Sequence, residues 1–296
     1  MVNKHKLSVI MSVFNDELYV SEAIESILSQ DYTQFEFIII NDGSTDNSLN
    51  IINQYALQDD RILVINQSNI GLTKSLNKAI KIAKGNFIAR MDSDDISMKN
   101  RFSSQMNFLE SNPDCALIGT NVIKIDKDGA ELEKNQSLYS YEDICNRFKK
   151  GNCIAHGSVM LNKFLLGDLL SYDENFKYSQ DYKLWTKIAN KYKILNTKEY
   201  LYKLRLHDSS ISKQKVEQQS IYAGIISYEF ENKTIIEDIE KEIIKNKQLR
   251  KKIGISLLMQ LNPKLAKKYF SIFSIYYYVS ISFQYINLTK IKKFFK

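Results

Sequence analysis

The sequence predicts an α/β protein in which helices flank a mostly parallel sheet. Within about the first 110 residues, an apolar run rich in β-branched residues is followed four times by a stretch with helical periodicity. The 296 residues include only two prolines and ten glycines, which favours a chain made mostly of regular elements. Right-handed crossovers between parallel strands place helices on both faces of such a sheet.

The four strands of this alternating part are predicted at residues 7–14, 35–40, 62–65 and 87–91. The helices between and after them are predicted at residues 18–28, around 51–55, at 72–83 and at 101–110. Asn15 and Asp16 can cap the first helix, and turn-forming acidic residues follow the second and fourth strands.

The regular alternation ends after residue 112. We expect a hairpin around Asp128-Gly129, a strand at 153–161, a helix at 180–192, an extended segment at 198–206 and helices from Val216 onward. This pattern predicts a catalytic domain at 1–212, with halves at about 1–112 and 113–212, and a helical C-terminal region at 213–296.

The net charge of +7 lies at the C-terminus. Residues 264–296 contain seven lysines and no acidic residue, so basic and acidic residues are equal in number over the rest of the chain. A nucleic-acid-binding body would carry excess Lys and Arg on one face, so we expect no nucleic-acid partner.

Three cysteines and three histidines are too few and too scattered for a zinc framework, and they suit a reducing compartment. The N-terminal residues pass directly into the first predicted strand, which leaves no room for the apolar region of a signal peptide. We therefore expect a cytoplasmic protein.

Acidic loops follow three of the four strands. The carboxylates are at Asp16, Glu17, Asp42, Asp46, Asp92, Asp94 and Asp95. Because ligand sites of open parallel sheets lie beyond the carboxyl ends of the strands, these groups should meet at one edge. Carboxylates gathered there repel each other unless a cation lies among them, so the pattern predicts a divalent metal, Mn²⁺ or Mg²⁺.

Each acidic motif also has a structural explanation. The run from Arg90 to Asp95 can form a helix cap with solvated turn acids. Asp46 can cap a helix as readily as it can bind a ligand, whereas ligand contact is favoured for Asp42, which can accept the imino hydrogen of uracil or thymine.

Four segments in the order LSVIMSVFN (7–15), FEFIIINDGSTDNS (35–48), ARMDSDDI (89–96) and SQDYKLW (179–185) resemble the family 2 glycosyltransferases. The resemblance spans about residues 5–210. It implies the GT-A fold, known as the nucleotide-diphospho-sugar transferase fold, and sugar transfer with inversion. It implies that Asp42 and Asp92 bind the nucleoside, that Asp94 binds the metal and diphosphate, and that Asp181 is the catalytic base.

The full expected site follows from these motifs and the remaining polar residues. The donor-binding residues would be Asn15, Glu17, Asp42, Arg90, Asp92, Ser93 and Arg205. Asp94 and His207 would be the metal ligands, since the family often has Arg-x-His near the diphosphate. His156, Gln180 and Trp185 would line the acceptor side, although a lone histidine and a tryptophan at helical spacing are more often structural.

Three positions depart from the family pattern. Ser12 replaces a proline, which alters the turn after the first strand. Asn41 replaces the first of a frequent aspartate pair and leaves Asp42 to recognise the nucleoside. Gln180 replaces a glutamate before the base, so an acceptor contact there loses its charge.

The expected chemistry is attack of an acceptor hydroxyl on the anomeric carbon, opposite a leaving nucleoside diphosphate, with Asp181 taking the proton. The donor would be a UDP-sugar or a related compound, and the acceptor a glycan or lipid-linked molecule of surface-polysaccharide or lipopolysaccharide assembly. Two alternatives stay open. A nucleotidyltransferase would carry a Gly-rich phosphate loop where this chain has Asn15-Asp16-Glu17, and Gln180 leaves room for a noncatalytic sugar-nucleotide-binding protein.

The tail at 264–296 alternates aromatic residues with lysine clusters around 21 uncharged residues, 269–289. Its serines and amides make a lipid-exposed span unfavourable. We expect it to lie on the anionic inner face of the cell membrane, and the alternative is a helix pair packed on the main domain with solvated lysines.

Overall fold

The computed structural model describes residues 6–208, 215–237 and 246–259. The chain divides into two compact units. The first comprises Met1–Asn146 and Cys153–Ser210, and the second comprises Arg147–Asn152 and Ile211–Lys296.

The first unit is built on a nine-stranded sheet. Its strands are β1 Leu7–Val13, β2 Phe35–Asp42, β3 Ile62–Gln67, β4 Phe87–Met91, β5 Ile96–Ser97, β6 Cys115–Ile125, β7 Glu131–Asn135, β8 Met160–Asn162 and β9 Lys193–Arg205. They are ordered β3-β2-β1-β4-β8-β6-β9-β5, with β7 beside β6. β3, β2, β1 and β4 are parallel, as the alternation predicts, whereas β8, β5 and β7 pair antiparallel with their neighbours.

The helices within the described residues are α1 Val20–Leu28, α2 Ser48–Gln58, α3 Leu72–Ile82, α4 Arg101–Ser111, α5 Tyr141–Phe148, α6 Lys163–Leu166, α7 Gln180–Ala189, α8 Val216–Asn232 and α9 Lys247–Met259. Buried residues of α1, α2 and α4 join the apolar cluster on one face of the parallel strands. α3 contacts β1 and β2 and contributes the buried Leu76, Ala79 and Ile80.

Burial on both faces explains why the parallel strands read as nearly continuous apolar runs: every residue of β2 is buried. β1 and β2 run in register, with Val13 opposite Asn41, and Met11 lies opposite Met91 on β4. Because the three strands are parallel, the loops after β1, β2 and β4 emerge at the same edge of the sheet.

The prediction of a strand at 153–161 is wrong over most of its length. His156–Ser158 forms a 3-10 turn, and the strand that follows is only three residues long. The turn is closed by Ser158, whose amide and Oγ both donate to the Ala155 carbonyl, at 3.2 and 2.9 Å. Such local bonds compete with a β-ladder.

Helix α5 was not predicted. Its first turn is stabilised by Ser140, whose Oγ accepts a hydrogen bond from the Asp143 amide at 3.1 Å and donates to Asp143 Oδ2 at 2.7 Å. This is the Ser-x-x-acid pattern of a capping box. Conversely, Asn15 and Asp16 do not cap α1, whose N-cap is Tyr19 without a side-chain hydrogen bond.

The second unit contains α8 and α9, which pack closely. A Cβ on Gly224 would lie 2.6 Å from the Ile253 Cα, so only glycine permits this approach. Ile225, Ile226 and Leu249 are buried there. Within the described ranges no helix has the length and apolar character needed to cross a membrane. The basic tail at 264–296 lies outside the described residues.

Candidate active site

One end of the site is Asp42, the last residue of β2, which is 2% exposed. Its Oδ1 accepts hydrogen bonds from Gln67 Nε2 and the Ile70 amide, each at 2.9 Å. Its Oδ2 accepts one from the Gly71 amide, also at 2.9 Å. Gly71 has a φ of 90°, which favours glycine, and α3 begins directly after it. The carboxylate is therefore fixed against the start of α3.

Asn41 is buried beside Asp42. Its Nδ2 donates to Asn66 Oδ1 at 2.8 Å, while its Oδ1 has no hydrogen-bond partner among the residues that the structure describes. A second aspartate here would bury another negative charge next to Asp42. The neutral amide avoids that repulsion.

Asn15 and Glu17, predicted to bind the donor, join the loop after β1 to the loop after β2. Asn15 Oδ1 accepts a hydrogen bond from the Thr45 amide at 2.7 Å, and the Glu17 amide donates to Asp46 Oδ2 at 3.0 Å. Asp46 Oδ1 also accepts from the Ser48 amide at 3.0 Å, at the start of α2. The Glu17 side chain also takes part, since its Oε2 accepts a hydrogen bond from the Asn47 amide at 2.7 Å. Both side chains thus make loop contacts, and a donor contact stays a prediction.

The acidic loop after β4 is fastened to β9. The Asp92 amide donates to the Tyr202 hydroxyl at 3.2 Å, and Asp95 Oδ1 accepts from the Arg205 amide at 2.7 Å. Asp95 is buried, and burial together with the charges of Asp94 and Asp92 holds its pKa well above its ordinary value. By contrast, the side chains of Asp92 and Asp94 are 29% and 27% exposed, so they can reach a ligand.

The two predicted metal ligands, Asp94 and His207, meet at one point. His207 Nε2 lies 2.8 Å from Asp94 Oδ2, and this hydrogen bond raises the pKa of His207. In the described part of the chain, no three or more His, Cys, Asp or Glu side chains form a group that could hold a metal ion. Because Mg²⁺ is usually held by one or two carboxylates and completes its shell with water and phosphates, the residues present still fit a hard divalent ion.

Asp16, one of the carboxylates predicted to gather at this edge, interacts with this pair. Burial raises the pKa of Asp16 to about 6. A hydrogen bond with Ser93 opposes this shift, and the charges of Asp94 and Asp46 add to it. Carboxylates that crowd in this way favour a cation between them.

Arg205, predicted to contact the diphosphate, is only 4% exposed, and the protein already binds its guanidinium. Nε donates to the Asp94 carbonyl at 2.8 Å, and Nη1 donates to the carbonyls of Asp126 and Lys127 at 3.3 and 3.2 Å. Nη2 pairs with Glu22. These bonds use four of the five N–H donors of the guanidinium, and they support the Asp94 loop from behind.

Arg90 is fully buried and forms an ion pair in which its Nη2 lies 2.5 Å from Asp92 Oδ1. Its Nε and Nη1 are buried without a hydrogen-bond partner among the described residues. Gly157 packs beside this pair, and a Cβ there would lie 2.6 Å from Asp92 Oδ2 and overlap the Tyr202 hydroxyl. Because Arg90 exposes no surface, it can act on a donor only through Asp92.

The predicted acceptor-side residues lie on the 3-10 turn and on α7. The rings of His156 and Trp185 are 6.0 Å apart between centroids, at 66°. Gln180 is 7% exposed, and Trp185 is fully buried. A stacking contact between Trp185 and an acceptor is therefore unavailable in this structure, since packing in the core covers the indole, as its helical spacing indicates.

Tyr172 lies against His156, a predicted acceptor-side residue, although no sequence motif identified it. Its hydroxyl lies 2.8 Å from His156 Nε2. Burial and the charge of Arg90 lower the pKa of His156 to about 3, so the imidazole is neutral near pH 7. Burial raises the pKa of Tyr172; Arg90 opposes this, and the charges of Asp181 and Asp92 add to it.

Comparisons with known proteins show which family this chain resembles. The sequence model described as Glycosyl transferase family 2 matches residues 8–170. An uncharacterised glycosyltransferase of Methanocaldococcus jannaschii is 35% identical over 227 residues, which are 75% of this chain and 78% of that protein. The O-antigen biosynthesis glycosyltransferase WbnJ of Escherichia coli is 31% identical over 244 residues, which are 81% of this chain and 91% of WbnJ.

Solved structures share the fold at lower identity. S. aureus TarS 1–349 in complex with UDP-GlcNAc has a TM-score of 0.63 at 19% identity, covering 85% of this chain and 80% of that one. The match covers 43% of a longer TarS chain. Mannosyltransferase PcManGT from Pyrobaculum calidifontis, in complex with GDP-Man and Mn²⁺, has a TM-score of 0.58 at 13% identity. The match covers 96% of this chain and 81% of the PcManGT chain. The predicted GT-A fold is confirmed.

The matched family segment includes Asp42 and the acidic loop after β4. α7 and the end of β9 lie beyond it, and they add Asp181 and His207 to the same unit. With a family model over more than half of the chain and relatives above 30% identity over most of their own length, the chain belongs to glycosyltransferase family 2.

Proposed function

We propose that this glycosyltransferase moves a sugar from a UDP-sugar to a hydroxyl of a glycan or lipid-linked acceptor, with inversion, in the assembly of a cell-surface polysaccharide or lipopolysaccharide. The observation that carries the proposal is the pairing of Asp94 with His207 at the edge of the sheet where Asp42 ends its strand. Asp92, two residues before Asp94, is also partly exposed. The O-antigen role named for the E. coli relative supports the pathway.

A uridine donor is favoured by the nucleoside end of the site. Asp42 uses its two oxygens to accept three hydrogen bonds, which leaves acceptor capacity for one more donor. The imino group of uracil is such a donor. TarS, a structural neighbour, is described in complex with UDP-GlcNAc, which supports the same nucleotide here.

Asp94 and His207 would hold a divalent ion, Mn²⁺ or Mg²⁺, against the diphosphate. When bound, the ion would stabilise the negative charge that develops on the leaving diphosphate. Arg205 contributes by holding the Asp94 backbone, and Arg90 by holding the Asp92 carboxylate. The Mn²⁺ in the PcManGT complex supports the choice of metal.

Asp181 would act as the catalytic base. It lies in the first turn of α7 and is half-buried. A carboxylate within hydrogen-bond reach of an acceptor hydroxyl takes its proton while the oxygen attacks the anomeric carbon. Attack from the face opposite the diphosphate inverts the configuration, by the logic of inverting glycosidases.

A screen of nucleotide sugars with and without Mn²⁺ tests the proposal. UDP-sugars should raise the melting temperature, more so with Mn²⁺, because ligands that bind the folded state stabilise it by mass action. Released UDP should then accumulate with the best donor, and NMR of the transfer product should show the inverted anomer. A preference for guanosine nucleotides would refute the uridine donor, and UDP binding without turnover of any donor would favour a noncatalytic binder.

The tail at 264–296 is proposed to attach the enzyme to an anionic membrane, on the strength of its seven lysines and many aromatic residues. Flotation with phosphatidylglycerol-containing liposomes should recover the full chain, and recovery should fall for a chain that ends before Lys264. Equal recovery of both chains would refute membrane attachment.

A further inference from the structure

We propose that Asn77 and Tyr172 are positioning residues that link the nucleoside pocket to the helix carrying Asp181. The inference rests on the proposed function, since it concerns how the parts of that site are held at a fixed spacing. Neither residue needs to touch a substrate. Both would act through the neighbours that they hold.

The first half of the link is a pair of hydrogen bonds on the backbone of Tyr172. Asn77 Oδ1 accepts from the Tyr172 amide at 2.8 Å, and Asn77 Nδ2 donates to the Tyr172 carbonyl at 2.9 Å. Nδ2 also lies 3.2 Å from Glu174 Oε1. One amide side chain thus satisfies both backbone groups of a residue 95 positions away. These two hydrogen bonds fix the position of the Tyr172 backbone along the axis of α3.

α3 is itself attached to the nucleoside pocket. The helix begins at Leu72, directly after Gly71, and the Gly71 amide donates to Asp42 Oδ2 at 2.9 Å. Asn77 lies less than two turns further along this helix. A displacement of the Asp42 loop would therefore be transmitted to Asn77 through a rigid element.

The second half of the link is the buried side chain of Tyr172, which is 2% exposed. Its hydroxyl lies 2.8 Å from His156 Nε2, and its ring meets the His156 ring edge-on, with centroids 5.5 Å apart. The His156 ring in turn contacts Trp185, four residues after Asp181 on α7. Residues four apart lie on the same face of a helix, so this packing also sets the position of Asp181.

Trp185 is the chain's single tryptophan, so its fluorescence reports directly on this link. The variants are Asn77→Ala, which removes the backbone contact, and Tyr172→Phe, which removes only the hydroxyl. Tyr55→Phe on α2 is the matched control, because it also deletes one tyrosine hydroxyl bond, that to Glu25 at 2.5 Å. Calorimetry with UDP and Mn²⁺ measures affinity, and UDP release from the fastest of UDP-glucose, UDP-galactose and UDP-GlcNAc measures turnover.

We expect both variants to bind UDP within about threefold of wild type and to lose tenfold or more in kcat, while Tyr55→Phe changes neither. Tyr172→Phe should also shift the Trp185 emission without ligand, and UDP should change that emission in wild type but not in Asn77→Ala. Unchanged kcat, or UDP affinity that falls as much as kcat, would overturn the link. If wild type binds no UDP, the proposed function fails, and the emission of ligand-free Tyr172→Phe still decides whether Tyr172 supports α7.

Discussion

His207 Nε2 lies 2.8 Å from Asp94 Oδ2, although the two residues are 113 positions apart. The Asp94 carbonyl accepts a hydrogen bond from Arg205 Nε at 2.8 Å, two residues before His207. The end of β9 therefore holds both the backbone and the side chain of Asp94. The acidic loop and the Arg-x-His segment act as one structural unit, which neither motif indicates when it is taken alone.

Asp94→Asn should weaken Mn²⁺-dependent UDP binding by about tenfold or more, because an amide removes the negative charge that a hard cation requires. Calorimetric titration of UDP with and without Mn²⁺ measures the effect. Asp60→Asn removes the same charge from an exposed loop position and should leave affinity unchanged. Wild-type affinity of Asp94→Asn in Mn²⁺ would contradict the metal role.

Arg205→Lys should cost about 3 kcal/mol of the free energy of unfolding, because lysine keeps the charge but cannot reach the separate partners of the buried guanidinium. Urea denaturation measures this loss. Arg61→Lys, at a half-buried pair with Asp59, is the matched control and should cost less than about 1 kcal/mol. An Arg205→Lys variant of wild-type stability with weakened UDP affinity would instead mark Arg205 as a diphosphate ligand.

The first 110 or so residues were predictable because short apolar runs alternate there with stretches of helical periodicity. β4, for example, occupies Phe87–Met91, the predicted residues. Beyond them, short elements depend on local hydrogen bonds. The turn at His156–Ser158 replaces part of a predicted strand. Helix α5 is capped by Ser140, and an analysis of hydrophobic periodicity takes no account of capping residues.

The candidate site could be predicted only as far as side-chain chemistry determines it. Carboxylates that follow neighbouring parallel strands emerge at one edge of the sheet, which is why the sequence predicts a common edge for Asp42 and Asp94. The burial of a side chain cannot be predicted in this way, because it depends on packing between segments that are distant in the sequence. Arg90, Arg205 and Trp185 have suitable chemistry for ligand contacts, yet the fold leaves them 0%, 4% and 0% exposed. Tyr172 had no motif, and only the folded chain brings it to His156.

Asp181→Asn should leave UDP affinity within about twofold of wild type and reduce transfer by a factor of about 10² or more, since an amide cannot accept the proton of the acceptor hydroxyl. Calorimetry and UDP release measure the two quantities separately. Asp168→Asn, an exposed acid in the same half of the domain, should change neither. Loss of UDP binding together with transfer would place Asp181 in the donor site instead.

His156→Gln should reduce the loss of stability that acid causes. The pKa of His156 in the folded protein is about 3, below its ordinary value of 6.5, because burial and Arg90 disfavour the charged ring. Between these pH values the unfolded chain binds more protons than the folded one, so stability falls as the pH is lowered from 6.5 towards 3. Between pH 7 and pH 5, wild type should lose up to about 2 kcal/mol more than His156→Gln. Urea denaturation at both pH values measures this difference in the free energy of unfolding. Equal losses of stability in the two proteins would mean that His156 is protonated as easily in the folded state as in the unfolded chain.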